Sequence, residues 1–177
     1  MAKTNAFSEM LSFKGRIGRG EWWLIGFGFS ILQSVAAFAA ATVLIGAEHF
    51  GPALREHPVF HQIQLALAAL LFWPILAASV KRAHDRSGPG LLPFVYMVAN
   101  LTFLAIQVFQ PQMFEIDPAA TPTTPQLLLG LVGIAFIPLA IWLVISLGLL
   151  PGKKGANRYG PSPKGSGRHD YQAPRID

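Results

Sequence analysis

The chain has 177 residues, fourteen Lys and Arg against nine Asp and Glu, a formal charge of +5 and no cysteine. The missing cysteine excludes disulfides, thiolate metal sites and cysteine nucleophiles. With 52% hydrophobic residues, the positive charge reads as basic residues beside membrane spans, not as a nucleic-acid surface.

The chain opens on a short candidate helix near Ala6–Phe13, with Phe7, Met10 and Leu11 at helical i, i+3, i+4 spacing. So short a helix is marginal in water, and the apolar stripe suits it to lie in the membrane interface. The glycines of Lys14-Gly15-Arg16-Ile17-Gly18-Arg19-Gly20 then break helical propagation. Trp22 and Trp23 mark the headgroup level where the first apolar run, Trp22–Ala47, begins. That run is too long for a signal-peptide core, so it is expected to be an uncleaved anchor.

Three further apolar runs follow, at Ile63–Val80, Leu91–Gln110 and Leu127–Leu150. A hydrocarbon core of about 30 Å needs about 20 apolar residues in a helix, so all four runs suit spans. Between them, Gly51-Pro52 signals a turn, Pro58 suits a helix start, and Gly88-Pro89-Gly90 ends the short loop Lys81–Gly90. Thr124-Pro125 reads as a cap followed by proline at the first helical position. Pro151-Gly152 closes the last span, and residues 164–177 are expected to form a disordered tail behind a membrane domain of residues 1–163.

The five segments outside the runs carry four, one, three, none and six basic residues in order. This alternation is what the positive-inside rule produces in a four-pass protein with both termini in the cytoplasm. The expected fold is therefore an all-α integral membrane domain of four transmembrane helices. Within the spans, Pro74 and Pro138 interrupt the backbone ladder and read as tolerated kinks. Gly26, Ser30, Ser34, Ala37 and Ala41 form a small-residue stripe that suits close helix packing. Gln33 and Asn100 lie at similar depth, about 16 and about 14 Å from the inner ends of their spans, and read as a hydrogen-bonded pair. No Asp, Glu, Lys, Arg or His lies inside a span, which weighs against a proton pump or an ion pathway.

The chemistry-bearing residues gather in three inner segments: Phe13-Lys14-Gly15-Arg16-Ile17-Gly18-Arg19-Gly20-Glu21-Trp22-Trp23, Lys81-Arg82-Ala83-His84-Asp85-Arg86-Ser87-Gly88 and Gly155-Ala156-Asn157-Arg158-Tyr159-Gly160-Pro161. In this order around four spans, they resemble the bacterial inner-membrane family called domain of unknown function 805 (DUF 805), over about Phe7 to Pro163. The family's middle motif reads basic-Arg-x-His-Asp and often continues to Ser-Gly and an aromatic, where this chain has Pro89-Gly90. The family's tail usually carries Asp where this chain has Ser162. The resemblance implies a location in the bacterial inner membrane and a topology, and no established activity.

Read from the residues, His84 beside Asp85 between Arg82 and Arg86 suggests a general base or a metal ligand pair. Neighbours on a helix do not face each other, and a metal needs more ligands. The more economical expectation is a polar network. Asp85 and Glu21 pair with arginines of neighbouring segments, and Asn157, Arg158 and Tyr159 fold the tail back over the inner face. Arg16, Arg19, Arg82 and Arg86 are also expected to contact lipid phosphates. Among the outer histidines His49, His57 and His61, Pro58 places His57 at a helix cap and spoils a metal pair. The expected function is a non-enzymatic scaffold or regulatory module that binds anionic headgroups, a protein partner or a second copy, without cofactor, metal or nucleic acid. A small transporter or channel is the alternative, and a lipid headgroup enzyme the third.

Overall fold

A computed structural model of the chain describes residues 6–47, 51, 54, 57–115 and 121–163. His49 and the tail beyond Pro163 lie outside the described residues. Helix α1 (Ala6–Leu11) precedes four long helices: α2 (Arg19–Ile45), α3 (Pro58–Asp85), α4 (Leu91–Phe109) and α5 (Thr124–Leu143). Helix α5 continues as a π-helical turn over Val144–Leu149, so all four long elements are apolar enough to cross a membrane. No strand occurs among the described residues. The protein is a multi-pass membrane protein with its chain ends, α1 and the residues after α5, at one end of the bundle.

The element ends follow local chemistry. His57 caps α3, its Nδ1 accepting from the Val59 amide at 3.3 Å, with Pro58 in the first turn. At α5 the cap is Thr123, one residue before the expected Thr124. The reason is Gln126, whose Oε1 accepts from the Thr123 amide at 2.9 Å and so fixes the start one residue earlier. Helix α2 begins at Arg19, ahead of the tryptophans, and includes Gly20 in its first turn. Pro74 and Pro138 both lie inside continuous helices.

Two expectations about packing need correction. The small-residue stripe divides: Ala37 and Ala41 are buried, while Ser30 and Ser34 are exposed and return their hydroxyls to the Gly26 and Ser30 carbonyls at 2.8 Å. That back-bonding satisfies the hydroxyls in an apolar medium without a partner helix. Lys81–Asp85, expected in a loop, form the last turn and more of α3. Apolar character ends at Val80, but the helix runs on because the charged side chains of this turn find buried partners.

Burial is concentrated in that part of α3, where Leu76–Ala83 and Asp85 are buried. Large apolar residues along the rest of the bundle, such as Val43, Leu70 and Leu131, are exposed, as lipid-facing side chains are. The tightest part of this protein is therefore a polar end.

Candidate functional site: a sealed basic end

The site is built around Asp85, the last residue of α3. A carboxylate at a helix C-terminus meets the negative end of the helix dipole, so it requires compensation. Arg16 supplies it from the α1–α2 connection: Nε and Nη2 approach Asp85 Oδ1 at 3.0 and 2.8 Å. Arg82, one turn back on α3, donates from Nη1 to Asp85 Oδ2. The Arg16 side chain is 0% exposed and that of Asp85 5%, so the triad is sealed from water.

The arginines have a second set of acceptors that composition does not reveal. Arg82 Nε donates to the Leu147 carbonyl at 2.7 Å and Nη2 to that of Leu150 at 2.6 Å. Arg86 Nη1 donates to the Ser146 carbonyl at 2.9 Å and to its hydroxyl at 2.6 Å. Trp23 Nε1 takes the Gly148 carbonyl at 3.1 Å, and Arg19 Nη1 that of Leu149 at 3.2 Å. Each carbonyl from Ser146 to Leu150 thus accepts a side-chain donor. These are the carbonyls that the end of a helix leaves without intrahelical partners, and the π-helical turn presents them in succession.

Arg16 extends the pattern into the tail, donating to the carbonyls of Lys153 (2.6 Å), Gly155 (2.8 Å) and Gly160 (3.2 Å). The tail is also tied through its own groups. The Lys153 amide donates to the Asp85 carbonyl at 2.9 Å, and Asn157 and Gly160 close a tight loop by paired backbone bonds at 3.0 and 2.9 Å. Asn157 Nδ2 then reaches the His84 carbonyl at 2.9 Å and Ser87 Oγ at 3.0 Å. Ser87 holds φ at 61°, a left-handed conformation unusual for a non-glycine residue, and turns the chain off α3 at that point.

His84 lies outside this hub. Its ring stacks on Tyr159, centroids 3.7 Å apart and planes 6° from parallel. Its Nδ1 is buried and has no hydrogen-bond partner among the described residues. Asp85 is held by two guanidinium groups and not by the adjacent His84, and neither residue lines the two cavities described below. Arg158 stays exposed, its guanidinium 4.7 Å above the Tyr159 ring.

Of the residues singled out from the sequence, the fold gathers Arg16, Arg19, Arg82, His84, Asp85, Arg86, Asn157, Arg158 and Tyr159 at this end. Glu21 is exposed and stands apart from the Asp85 cluster, on a groove facing Lys81. Arg16 and Arg82, expected at lipid phosphates, direct their guanidinium donors to Asp85 and backbone carbonyls. Gln33 bonds Gln64 at 3.5 Å and not Asn100, although both amides line one cavity of about 350 Å³ between the spans. Helix rotation decides that choice, and equal depth alone does not. Among the described residues no cluster of His, Asp and Glu suits a metal ion.

Two residues that sequence reasoning passed over belong to the site. A Cβ at Gly152 would lie 1.8 Å from Asp85 Oδ2, so only glycine lets the tail cross the carboxylate. Lys81 is 8% exposed, its Nζ donating to the Glu9 carbonyl at 2.9 Å and so tying α1 to α3.

Residues 10–161, which contain the Asp85 network, match the family described as "Protein of unknown function (DUF805)". Two relatives, each named "Uncharacterized protein YiiR", come from Escherichia coli strain K12 and Escherichia coli O157:H7. Each is 29% identical over 154 residues, covering 85% of this chain and 85% of the relative. No solved structure matches the chain.

Proposed function

Because the chain belongs to the DUF805 family, for which no activity is established, we propose its role from the chemistry of the basic end: a non-enzymatic module of the bacterial inner membrane that holds anionic phospholipid on its cytoplasmic side. The distribution of cations, thirteen of fourteen in three alternate segments, supports that orientation. The observation that carries the reading is the division of labour among the cations. Arg16 and Arg82 are sealed in the hub, whereas Lys14, Lys153, Lys154 and Arg158 remain exposed on the rim. A plate whose inner arginines are held by Asp85 and main-chain carbonyls thus presents a ring of solvated positive charge at headgroup level. Each basic residue near an anionic surface contributes about 1 kcal/mol.

The test replaces Lys153, Lys154 and Arg158 with Gln together and measures retained phosphatidylglycerol and cardiolipin by mass spectrometry in mild detergent. Three such charges predict a loss of about a hundredfold in affinity at low salt. Unchanged retention would sink the lipid reading and leave a protein partner as the occupant of the rim.

A transport role ranks second. Its support is the interspan cavity, with Gln33, Ser79, Tyr96 and Asn100 in an otherwise mainly apolar wall. No charged side chain lines it, so an ion or a proton finds no counter-charge there.

A further inference from the structure

Beneath α1 lies a second cavity, about 610 Å³, where α1 and the following connection cross the ends of α2 and α3. Its position in the membrane is set by its neighbours. Glu21 on its wall directly precedes Trp22 and Trp23, the interfacial aromatics, and Trp73 Nε1 holds the other side of α1 through the Leu11 carbonyl at 3.0 Å. The cavity therefore opens at the level where phospholipid headgroups lie.

Its wall is charged, but balanced. Lys14 and Lys81 provide two ammonium groups, and Glu9 and Glu21 provide two carboxylates. Arg16 also lines it, with its guanidinium already held by Asp85 and tail carbonyls. Ile17, Ile25 and Ala78 give the remainder an apolar side continuous with the spans. Lys81 is the best-placed group, because its ammonium is buried and pointed by one bond to the Glu9 carbonyl, while an ammonium carries three donors.

We infer that this cavity is a binding site for a zwitterionic phospholipid with a primary amine, a phosphoethanolamine headgroup. This rests on reading the basic end as a phospholipid-facing surface, and it names the headgroup selected by this cavity, apart from the anionic lipid held by the rim. The lipid phosphate accepts from Lys81 and Lys14, and its ammonium donates to Glu21. The glycerol and first methylenes lie along Ile17, Ile25 and Ala78. A purely anionic headgroup satisfies the lysines but sets negative charge against Glu21. A choline headgroup brings positive charge without N–H donors, so it forfeits the charge-assisted hydrogen bonds. Selectivity therefore lies in Glu21, and affinity in Lys81 and Lys14.

The test uses the full chain, delipidated in detergent, with phosphatidylethanolamine, phosphatidylcholine and phosphatidylglycerol of matched acyl chains, read by native mass spectrometry. With Lys153, Lys154 and Arg158 replaced by Gln, so that the rim no longer retains anionic lipid, phosphatidylethanolamine should be retained about tenfold over the other two, as one charge-assisted hydrogen bond provides. Glu21→Gln should abolish that preference, and Lys14→Gln should weaken all three lipids while the protein stays folded. Lys81→Met should do so more strongly, with circular dichroism checking that the helices persist. Equal retention of the three lipids, or a preference that survives Glu21→Gln, overturns the assignment. So does binding of soluble glycerophosphoethanolamine without retention of the lipid. The rim variant separates the two readings: loss of Lys153, Lys154 and Arg158 should leave the ethanolamine preference intact even where anionic lipid is released.

Discussion

Asp85→Asn is expected to be the most damaging single-atom-scale change in this protein, lowering stability by about 3–5 kcal/mol. Asn keeps the size and one acceptor oxygen, so packing is preserved while the charge and one of two acceptors are lost. What remains is two buried guanidinium groups, Arg16 and Arg82, with no counter-charge. A folded protein holds about 5–15 kcal/mol in all, so this loss takes a large share of it. Thermal unfolding in detergent should show a fall of roughly 10 °C, with protease cleavage appearing within residues 153–160. Arg16→Met combined with Asp85→Asn should cost less than the two single changes summed, because both break the same Arg16–Asp85 pair and the first removes one of the guanidinium groups the second leaves without counter-charge. A variant that melts within about 1 kcal/mol of wild type would show the triad to be peripheral.

Gly152→Ala is the second large effect, and it reaches the same hub by sterics alone. An added Cβ meets Asp85 Oδ2 at 1.8 Å and Cγ at 2.5 Å, far inside contact distance. Either the carboxylate leaves its arginines or the tail lifts away, and overpacking of this kind costs about 1–3 kcal/mol before any ion-pair loss. Gly20→Ala is the control. Its Cβ meets nothing within 4 Å in the first turn of α2, and the helix gains up to about 1 kcal/mol. In an Asp85→Ala background the clash has no partner, so Gly152→Ala should then be close to neutral. Equal damage in both backgrounds would place the effect in the backbone and not in the carboxylate.

Much of this fold is legible from residue chemistry. Four apolar runs, prolines at helix starts and interfacial tryptophans are local signals, and the spans follow from them. That Asp85 needs arginine partners is legible as well, because a lone carboxylate among cations at a membrane face has few other ways to be satisfied. The partners themselves are not. Beyond Asp85 and the Ser146 hydroxyl, the acceptors of Arg16, Arg19, Arg82 and Arg86 are main-chain carbonyls of Ser146–Gly160, and every residue carries a carbonyl. Only the π-helical turn, which hydropathy does not register, singles these out. Helix rotation is likewise absent from hydropathy, which is why Gln33 turns to Gln64 and why Ser30 and Ser34 face outward while Ala37 and Ala41 pack. The end of α3 was hidden for a related reason: charge after Val80 reads as loop until its buried partners, sixty or more residues away, are known.

The arginine count at this end also takes on a second cause. A positive-inside orientation would account for cations on one side, but not for three guanidinium groups aimed at the carbonyls that close the last span and a fourth aimed at the tail. Here the same residues also finish a helix and fasten a tail. The plate they form is what gives the rim lysines and the groove beneath α1 a fixed geometry.

Hydrogen–deuterium exchange of the full chain in lipid nanodiscs tests that claim most directly. The amides of Lys153, Asn157, Tyr159 and Gly160 each donate within the sealed end, to Asp85 O, Gly160 O, Asn157 Oδ1 and Asn157 O respectively. Segment 153–160 should therefore exchange slowly in the wild type and at near free-chain rates in Asp85→Asn. Free exchange of that segment in the wild type would mean the tail is not fastened and the basic end is not a single unit.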